Sequence, residues 1–377
     1  MHHHHFDYII IGNGLAGLQL ALAFNRDAYF KIKKIALLDK NLKNTNDKTW
    51  CFWEKNKGNW DHIVYKNWKE GNVITSAKKT EFKLDPYQYK MIRAIDFYQD
   101  AFSNLTSNPQ FTFIQEEVQE TTGLQVITSE ASYTANHIFD SRIPTAYFKK
   151  EDKHTRIYQH FKGWMIETKQ PTFNTEKFTM MDYRLKWKDS TSFTYVLPIS
   201  STKAFIEYTF FTPFTTEEEI YNLQLKKYIS EILKIEDYKI LETEKGIIPM
   251  TDFPFHTYNT SNLTKIGTAG GWVKASTGYS FKHTEKKVAL ILENLKNKHS
   301  VTKGLYSYKY QYFDKIFLKV LEQENNKGEW IFSQFYAKNS IKNIFKYLDE
   351  ETTTLQDLKI MNSLFSSAFI KAFFKTL

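Results

Sequence analysis

Cysteine is almost missing from this 377-residue chain: Cys51 stands alone. No internal disulfide can form, which fits a reducing compartment. No stretch is long and clean enough to cross a bilayer. The nearest candidate, Tyr8 to Phe24, is broken by Gly12, Asn13, Gly14 and Gly17 and reads better as a strand, a turn and a helix. A secretory leader is also missing from the start. Met1-His2-His3-His4-His5 has no apolar core before a small-residue cleavage site, and as a tag-like beginning it is set aside from the fold. The 11 His include no H-E-x-x-H and no paired spacing, so no metal is expected. Basic residues outnumber acidic ones by 51 to 42, yet they come as scattered pairs such as Lys78-Lys79 and Lys286-Lys287. Without a dense basic run, a zinc-finger spacing or a basic zipper, nucleic acid is not the expected partner; anionic lipid suits the +9 charge better. No repeat or low-complexity linker separates domains, so two domains are expected to interleave.

Aromatic residues are abundant: 31 Phe, 23 Tyr and 8 Trp make 16% of the chain. They can line a long apolar cavity, or reflect a codon habit that also favours Lys, Asn and Ile. The hydrophobic share of 42% and charged share of 25% are those of an ordinary folded protein, which argues against wholesale disorder.

The clearest unit comes first. Phe6–Ile11 is a short β-branched and aromatic run suited to a buried parallel strand. Gly12-Asn13-Gly14-Leu15-Ala16-Gly17 follows, then apolar residues at helical spacing, then a second buried strand from Lys34 to Leu38 that ends at Asp39. In a dinucleotide turn the first glycine permits the tight bend, the second lets the backbone approach a pyrophosphate, and the third lets helix and sheet pack closely. The helix N-terminus then offers its free N–H groups to the phosphates. Gly12, Gly14, Leu15, Ala16 and Gly17 are therefore expected to bind a cofactor, together with Asp39, whose carboxylate suits a ribose diol and favours FAD or NAD over NADP, and its neighbour Lys40. A second glycine segment, Ile266 to Trp272 with Gly278 close behind, favours FAD. In two-domain flavoproteins a late strand and helix return to cap the flavin, and Gly267, Gly270 and Gly278 join the expected set.

Elsewhere, alternation predicts strands around Val73–Leu84 and a multi-stranded antiparallel sheet from Tyr158 to Phe211. Phe111–Ile114, Gln125–Ile127 and Ser132–Tyr133 suggest a small antiparallel sheet. Helices are expected over Tyr89–Leu105, Thr215–Lys234 and Thr284–Leu295, and the stretch Tyr306–Lys375 reads as largely helical.

These residues resemble the flavin-dependent lycopene cyclases of the bacterial β-cyclase type. The resemblance spans most of positions 6–285. It is carried by the glycine-rich start, Thr49-Trp50-Cys51-Phe52, Tyr89 to Arg93, Phe139-Asp140-Ser141-Arg142, Gln159 to Trp164, Leu197 to Ser200, Phe205-Ile206-Glu207-Tyr208-Thr209, and Gly267 through Ser280. It implies an α/β fold: a three-layer, Rossmann-like FAD domain (6–50, 89–155 and 245–300) interleaved with a β-rich substrate domain (51–88 and 156–244), and a helical C-terminal region (301–377). It implies a reaction without net redox change, needing reduced FAD with NAD(P)H as the source of electrons. A terminal C=C of lycopene is protonated, an inner double bond attacks the cation, and a proton leaves to give a β-ionone ring.

The family's acid lies in a Phe-x-Glu-x-Thr segment, which assigns the role to Glu207. Tyr208 stands where relatives often carry a second acid, so no second carboxylate is expected at that position. In an alternating strand Phe205 and Thr209 share the face of Glu207. Desolvation among rings would keep such a carboxyl neutral near pH 7, and ring faces would stabilise the cation. The alternative for Glu207 is a solvated place on the outer face of the sheet.

The resemblance also gives Arg93 a cofactor role. Asp140 with Arg142 fits either a structural ion pair or a flavin-side contact. His160 is expected to be a hydrogen-bonded structural residue, and Cys51 to be packed. The partner implied is a lipophilic carotenoid, with the protein cytoplasmic and peripheral to the inner face of the membrane. Leu364–Leu377, mixing Phe, Ile and Leu with Lys371 and Lys375, either dips into a bilayer interface or packs on the body of the protein. The rival within flavoenzymes is an FAD-dependent reductase or monooxygenase acting on an apolar isoprenoid or aromatic substrate. The rival outside catalysis is a nucleotide-binding module.

Overall fold

A computed structural model describes residues 3–149 and 153–376. The chain opens with β1 (His3–Ile11), α1 (Leu15–Arg26) and β2 (Ile35–Leu38). Next come β3 (Thr49–Glu54), β4 (Lys66–Trp68), β5 (Glu70–Ile74), β6 (Lys79–Lys83), β7 (Gln88–Arg93) and α2 (Ala94–Leu105). Then follow β8 (Phe111–Ile114), β9 (Val118–Thr122), β10 (Gln125–Thr128) and β11 (Ser132–Asp140). The middle of the chain holds β12 (Arg156–Thr168), β13 (Lys177–Asp182), β14 (Ser192–Pro198), β15 (Lys203–Thr212), α3 (Glu218–Lys227), β16 (Tyr238–Thr251) and β17 (Leu263–Lys265). The end is helical: α4 (Phe281–Lys296), α5 (Tyr308–Gln323), α6 (Gly328–Lys338), α7 (Ile341–Leu348), α8 (Thr354–Ser363) and α9 (Ser367–Thr376).

The expected class holds: α/β, with a three-layer Rossmann-like part, a β-rich part and a helical C-terminus. In the first sheet the order is β8-β2-β1-β11-β10-β9, with β17 also on β11. β8, β2, β1, β11 and β17 run parallel. Ile10, Leu37 and Phe139 face the helical layer of α1, α2 and α4, while Ile9, Ile11 and Ile138 pack under Val126 and Tyr133 on the other side. Strands buried on both faces need such unbroken apolar runs, which is why β1 and β2 were legible.

A second sheet, ordered β16-β12-β15-β14-β13-β5-β6, is antiparallel except where β13 meets β5. One face carries the core shared with α5–α9, and the opposite face packs on α3. β3, β7 and β4 form a small antiparallel sheet. Segments distant in sequence thus alternate between the sheets. The division expected at 244/245 falls inside β16, which pairs with β12 as far as Arg156↔Thr251.

Four local expectations change. Tyr89–Arg93 is strand rather than helix: β7 buries Tyr89 and Met91 against the sheet core and Ile92 on the helical side, and α2 begins only at Ala94. Phe111–Ile114 lies parallel to β2 at the edge of the first sheet, not in an antiparallel one. Regular α-helix in Thr215–Lys234 is confined to α3, and a wider turn, Tyr228–Ile232, follows it. His3–His5, set aside as tag-like, extend β1 by pairing with Ser132–Thr134; Met1 and His2 lie outside the described residues, as do 150–152 and Leu377. Among the described residues no helix is long and apolar enough to cross a membrane.

Candidate active site

The glycine turn is built as its spacing requires. Gly12 has φ +99°, open to glycine at little cost, and a Cβ there would strike the Ser141 hydroxyl. A Cβ on Gly17 would lie 2.0 Å from the Gly12 carbonyl oxygen, so helix and turn touch through bare backbone. At Gly14 nothing lies within 4 Å of that position, and the space in front belongs to a cavity of about 630 Å³. The first turn of α1 has no acidic residue and no side-chain cap, leaving its N–H groups to face that cavity through Gly14, Leu15, Ala16 and Gly17.

The same cavity is lined by Gly267 (φ +61°) and Gly278 (φ +77°); Gly267 abuts α1, a Cβ there lying 3.1 Å from the Ala16 methyl. Beside them Thr277 Oγ1 and Gln159 Oε1 are buried and find no hydrogen-bond partner among the described residues. Backbone N–H groups at the start of α1 together with these orphaned polar atoms on the cavity wall fit a dinucleotide carrying a polar ring.

Of the expected binding residues, Gly12, Asp39, Lys40, Arg93, Asp140 and Gly270 do not line the cavity. Lys40 turns outward to Glu117 at 2.6 Å; Lys43 and Lys48 line the cavity in its place. Arg93 pairs with Glu242 at 3.2 Å and lies over the Tyr65 ring, because β7 carries it away from the cavity. Gly270 sits tight against the Lys265 carbonyl and the Trp272 indole, outside the cavity wall. Asp39 accepts the Asn13 backbone N–H at 2.7 Å and that of Asn41 at 2.9 Å, so its carboxylate fixes the glycine turn from below. Asp140 is fully buried between Arg142 and Lys265, each at 2.9 Å, which hold its carboxyl below the usual range against the opposing effect of burial. The ion pair closes the end of β11, and only its neighbours Ser141 and Ile143 reach the cavity.

Glu207 faces the cavity from β15, with Phe205, Thr209 and Phe211 on the same face. Tyr208 points the other way, donating its hydroxyl to the Leu185 carbonyl at 3.1 Å. Cross-strand register sets Tyr195 opposite Glu207, Glu207 opposite Gly163, and Gly163 opposite Glu244 on β16. One rung of the sheet therefore presents a phenol and two carboxyls, separated by a glycine. A Cβ at Gly163 would lie 2.2 Å from the Phe205 ring, and one at Gly246 would lie 2.7 Å from the Phe161 ring. Glycine here lets aromatic rings lie flat on the strands between the acids.

Burial is the main force on both acids. Desolvation, then the charge of Glu244, pushes the Glu207 carboxyl up to about 8, against the Thr209 hydroxyl that donates to Oε1 at 2.6 Å. Glu244 is pushed up to about 7 by desolvation, opposed by the Thr49 N–H at 3.0 Å. Both carboxyls are thus held well above the ordinary range, and a charge on Glu244 helps Glu207 keep its proton. The pair titrates as a unit.

Around them Tyr195 donates to the Tyr89 hydroxyl at 2.8 Å, and the Tyr89 and Tyr279 hydroxyls are 2.8 Å apart. Cys51 lines the wall nearby, its thiol pushed up to about 12 by burial, so it is held protonated. His160 is a structural residue, as expected: it hydrogen-bonds the Tyr221 hydroxyl and Thr212 Oγ1 behind the sheet.

Sequence reasoning missed Glu244 and the three tyrosines. The acid expected to be lacking beside Glu207 comes instead from β16, two strands away. The residues flanking Glu244, from Lys239 to Lys245, are exposed, so no alternation announces it.

Comparison with known proteins agrees with this architecture. The structure superposes on a geranylgeranyl bacteriochlorophyll reductase-like protein from Thermoplasma acidophilum with a TM-score of 0.60 over 100% of both chains, at 10% identity. The flavin-dependent brominase Bmp2 gives 0.59 at 14% identity, over 96% of this chain and 93% of that one. A tryptophan halogenase from Shewanella frigidimarina gives 0.58 at 11% identity, over 99% and 94%. At these identities the likeness is one of fold. No curated protein matches the sequence. The family described as lycopene cyclase protein matches residues 7–374, nearly the whole length. The chain belongs to the lycopene cyclase family.

Proposed function

We propose that the protein cyclises the end group of a linear carotenoid, converting lycopene to γ- or β-carotene, with Glu207 as the acid. The observation that carries this reading is a buried carboxyl on a ring-lined wall, one rung-mate away from a second buried carboxyl, with desolvation favouring the neutral form of both. Protonating an alkene needs a neutral acid at working pH, and burial is the means of keeping one.

Glu207 donates its proton to a terminal C=C. The electron pair of an inner C=C then forms the new C–C bond to the cationic carbon. A proton leaves the ring cation, and Glu244 in its carboxylate form is placed to accept it. The substrate gains one proton and loses one with no net oxidation, and a proton passing from Glu244 back to Glu207 restores the pair for the next ring. The rings of Phe161, Phe205 and Tyr195 offer their faces to the cation, which has no heteroatom to hydrogen-bond.

FAD fits the cradle of Gly14–Gly17, Gly267 and Gly278; reduced with electrons from NAD(P)H, it would supply an electron-rich ring beside the cation. Thr277 and Gln159 would meet its polar edge, and the Asp39-braced turn would carry its pyrophosphate.

A second reading, a flavin-dependent reductase of an apolar isoprenoid, draws on the fold shared with the reductase-like protein. One experiment separates them. Expressed in a lycopene-accumulating host, the protein is expected to yield a cyclic pigment of unchanged mass, whereas reduction would add hydrogen and hydroxylation oxygen. Unaltered lycopene, or a heavier product, would remove the cyclase reading.

Lipid contact belongs to the same proposal, since the substrate lives in the bilayer. α9 docks through the small residues Ala368, Ala372 and Thr376 and leaves Phe373, Phe374, Lys371 and Lys375 exposed. That is the composition of an interfacial helix. The protein is expected to sediment with vesicles containing phosphatidylglycerol. Replacing Lys371 and Lys375 with Glu should weaken this several-fold; equal binding by both proteins would contradict the idea.

A further inference from the structure

A second cavity, of about 360 Å³, lies between α5, α6, α8 and α9, far along the chain from the glycine turn. Among the described residues no charged side chain lines it, and its polar contributors are a few hydroxyls such as those of Ser276 and Thr277. It is not an isolated void. Thr277, Phe332, Phe335 and Leu348 belong to its wall and also to the wall of the cavity that contains Glu207. The two spaces therefore share a partition made of one hydroxyl residue and three apolar side chains.

At its other end the rim consists of Met361, Phe365, Ile370 and Phe373, which line the cavity and are also exposed, Phe365 by 69%. Large apolar side chains at a mouth are costly in water unless something apolar passes or covers them. The docking of α9 explains how they come to be there: its small stripe packs inward on α5, and Lys315 holds the Thr376 carbonyl at 3.2 Å, so the bulky residues are left at the edge.

We propose that this cavity is a second substrate chamber, which admits a linear hydrocarbon polyene end-on between α8 and α9 and holds its far half while the near end lies at Glu207. The proposal rests on the cyclase reading for the reaction but on the two cavities for the route. The absence of any charged lining excludes a ligand with an ionic head, such as a phospholipid or a prenyl diphosphate, from the chamber itself. A chain without a head passes. Thr277 belongs both to the cradle and to the partition, so the cofactor and a long substrate reaching Glu207 share the first cavity, and the apolar part of the partition, Phe332, Phe335 and Leu348, is where the structure provides further length.

The test blocks the mouth after folding. Met361→Cys is purified as the full chain and labelled at pH 7 with a bulky maleimide. Cys51 is half-buried on the first cavity's wall with its thiol pushed up to about 12 by burial, and labelled wild-type protein serves as the control for it. Lycopene in detergent micelles is then offered, and both the pigment co-eluting with protein and its conversion are measured against the unlabelled variant. Labelling is expected to cut bound lycopene and conversion at least ~10-fold, with the thermal unfolding temperature unchanged. Equal binding by labelled and unlabelled protein, or no binding by either, would overturn the chamber. If lycopene binds in a label-sensitive way but no ring forms, the chamber stands and the cyclase reading falls. If rings form regardless of the label, the reverse holds.

Discussion

Glu207→Gln is expected to lower ring formation by ~10²–10⁴-fold, the range over which a positioned general acid contributes, while the dinucleotide site is untouched. The amide keeps the shape of the side chain and can still accept the Thr209 hydroxyl, so lost activity would report a lost proton rather than a lost fold. A second readout guards against a merely structural effect. The folded protein holds this carboxyl at about 8, against an ordinary 4.5, so between those values the native state carries a proton that the unfolded chain has released. Stability contributed by that proton is present at low pH and declines as pH rises through 8. The Gln variant lacks this decline and should overtake the wild type in stability on the alkaline side, as measured by denaturant unfolding at pH 6 and pH 9. Full activity in the variant would remove Glu207 from the reaction.

Glu244→Gln should act through a different signature. If Glu207 must be protonated and Glu244 ionised, the activity profile is bell-shaped, with an acid limb near 7 and an alkaline limb near 8. Removing the Glu244 carboxylate removes a charge that raises Glu207, so the alkaline limb should move to lower pH; the acid limb should vanish together with most of the rate, a loss on the order of 10²-fold. A variant with unchanged limbs would show that Glu244 neither exchanges protons nor influences its neighbour.

How much of this was readable in advance depends on how far apart in sequence the partners lie. β1, the glycine turn, α1 and β2 were legible because strand burial, turn and helix are written within one short segment. Gly12, Gly14 and Gly17 behave as spacing alone demands. That Glu207 faces inward rather than to solvent, with Phe205 and Thr209 beside it, follows from the period of two along β15. Glu244 was not legible, since its burial comes from the register of β16 on β12 and from Thr49 on β3, neither of which leaves a local trace. Lys40 and Arg93 failed for a related reason. Position next to a motif does not fix where a long side chain turns, and each found an acid outside the cavity. The strand at Tyr89–Arg93 was hidden by its continuity with α2, because a buried strand running straight into a helix leaves no break in hydrophobicity.

The glycine at 163 has a geometric outcome for the product. Two inter-strand steps separate the backbones of Glu207 and Glu244, about 9.5 Å by ordinary sheet spacing, and the intervening position contributes no side chain of its own. Hydrogen is thus delivered and withdrawn at separate stations along a fixed ruler, instead of shuttling on one group. In heavy water the deuteron that enters should remain in the ring and the hydrogen that departs should be the original one, giving a single, stereochemically defined label per cyclised end.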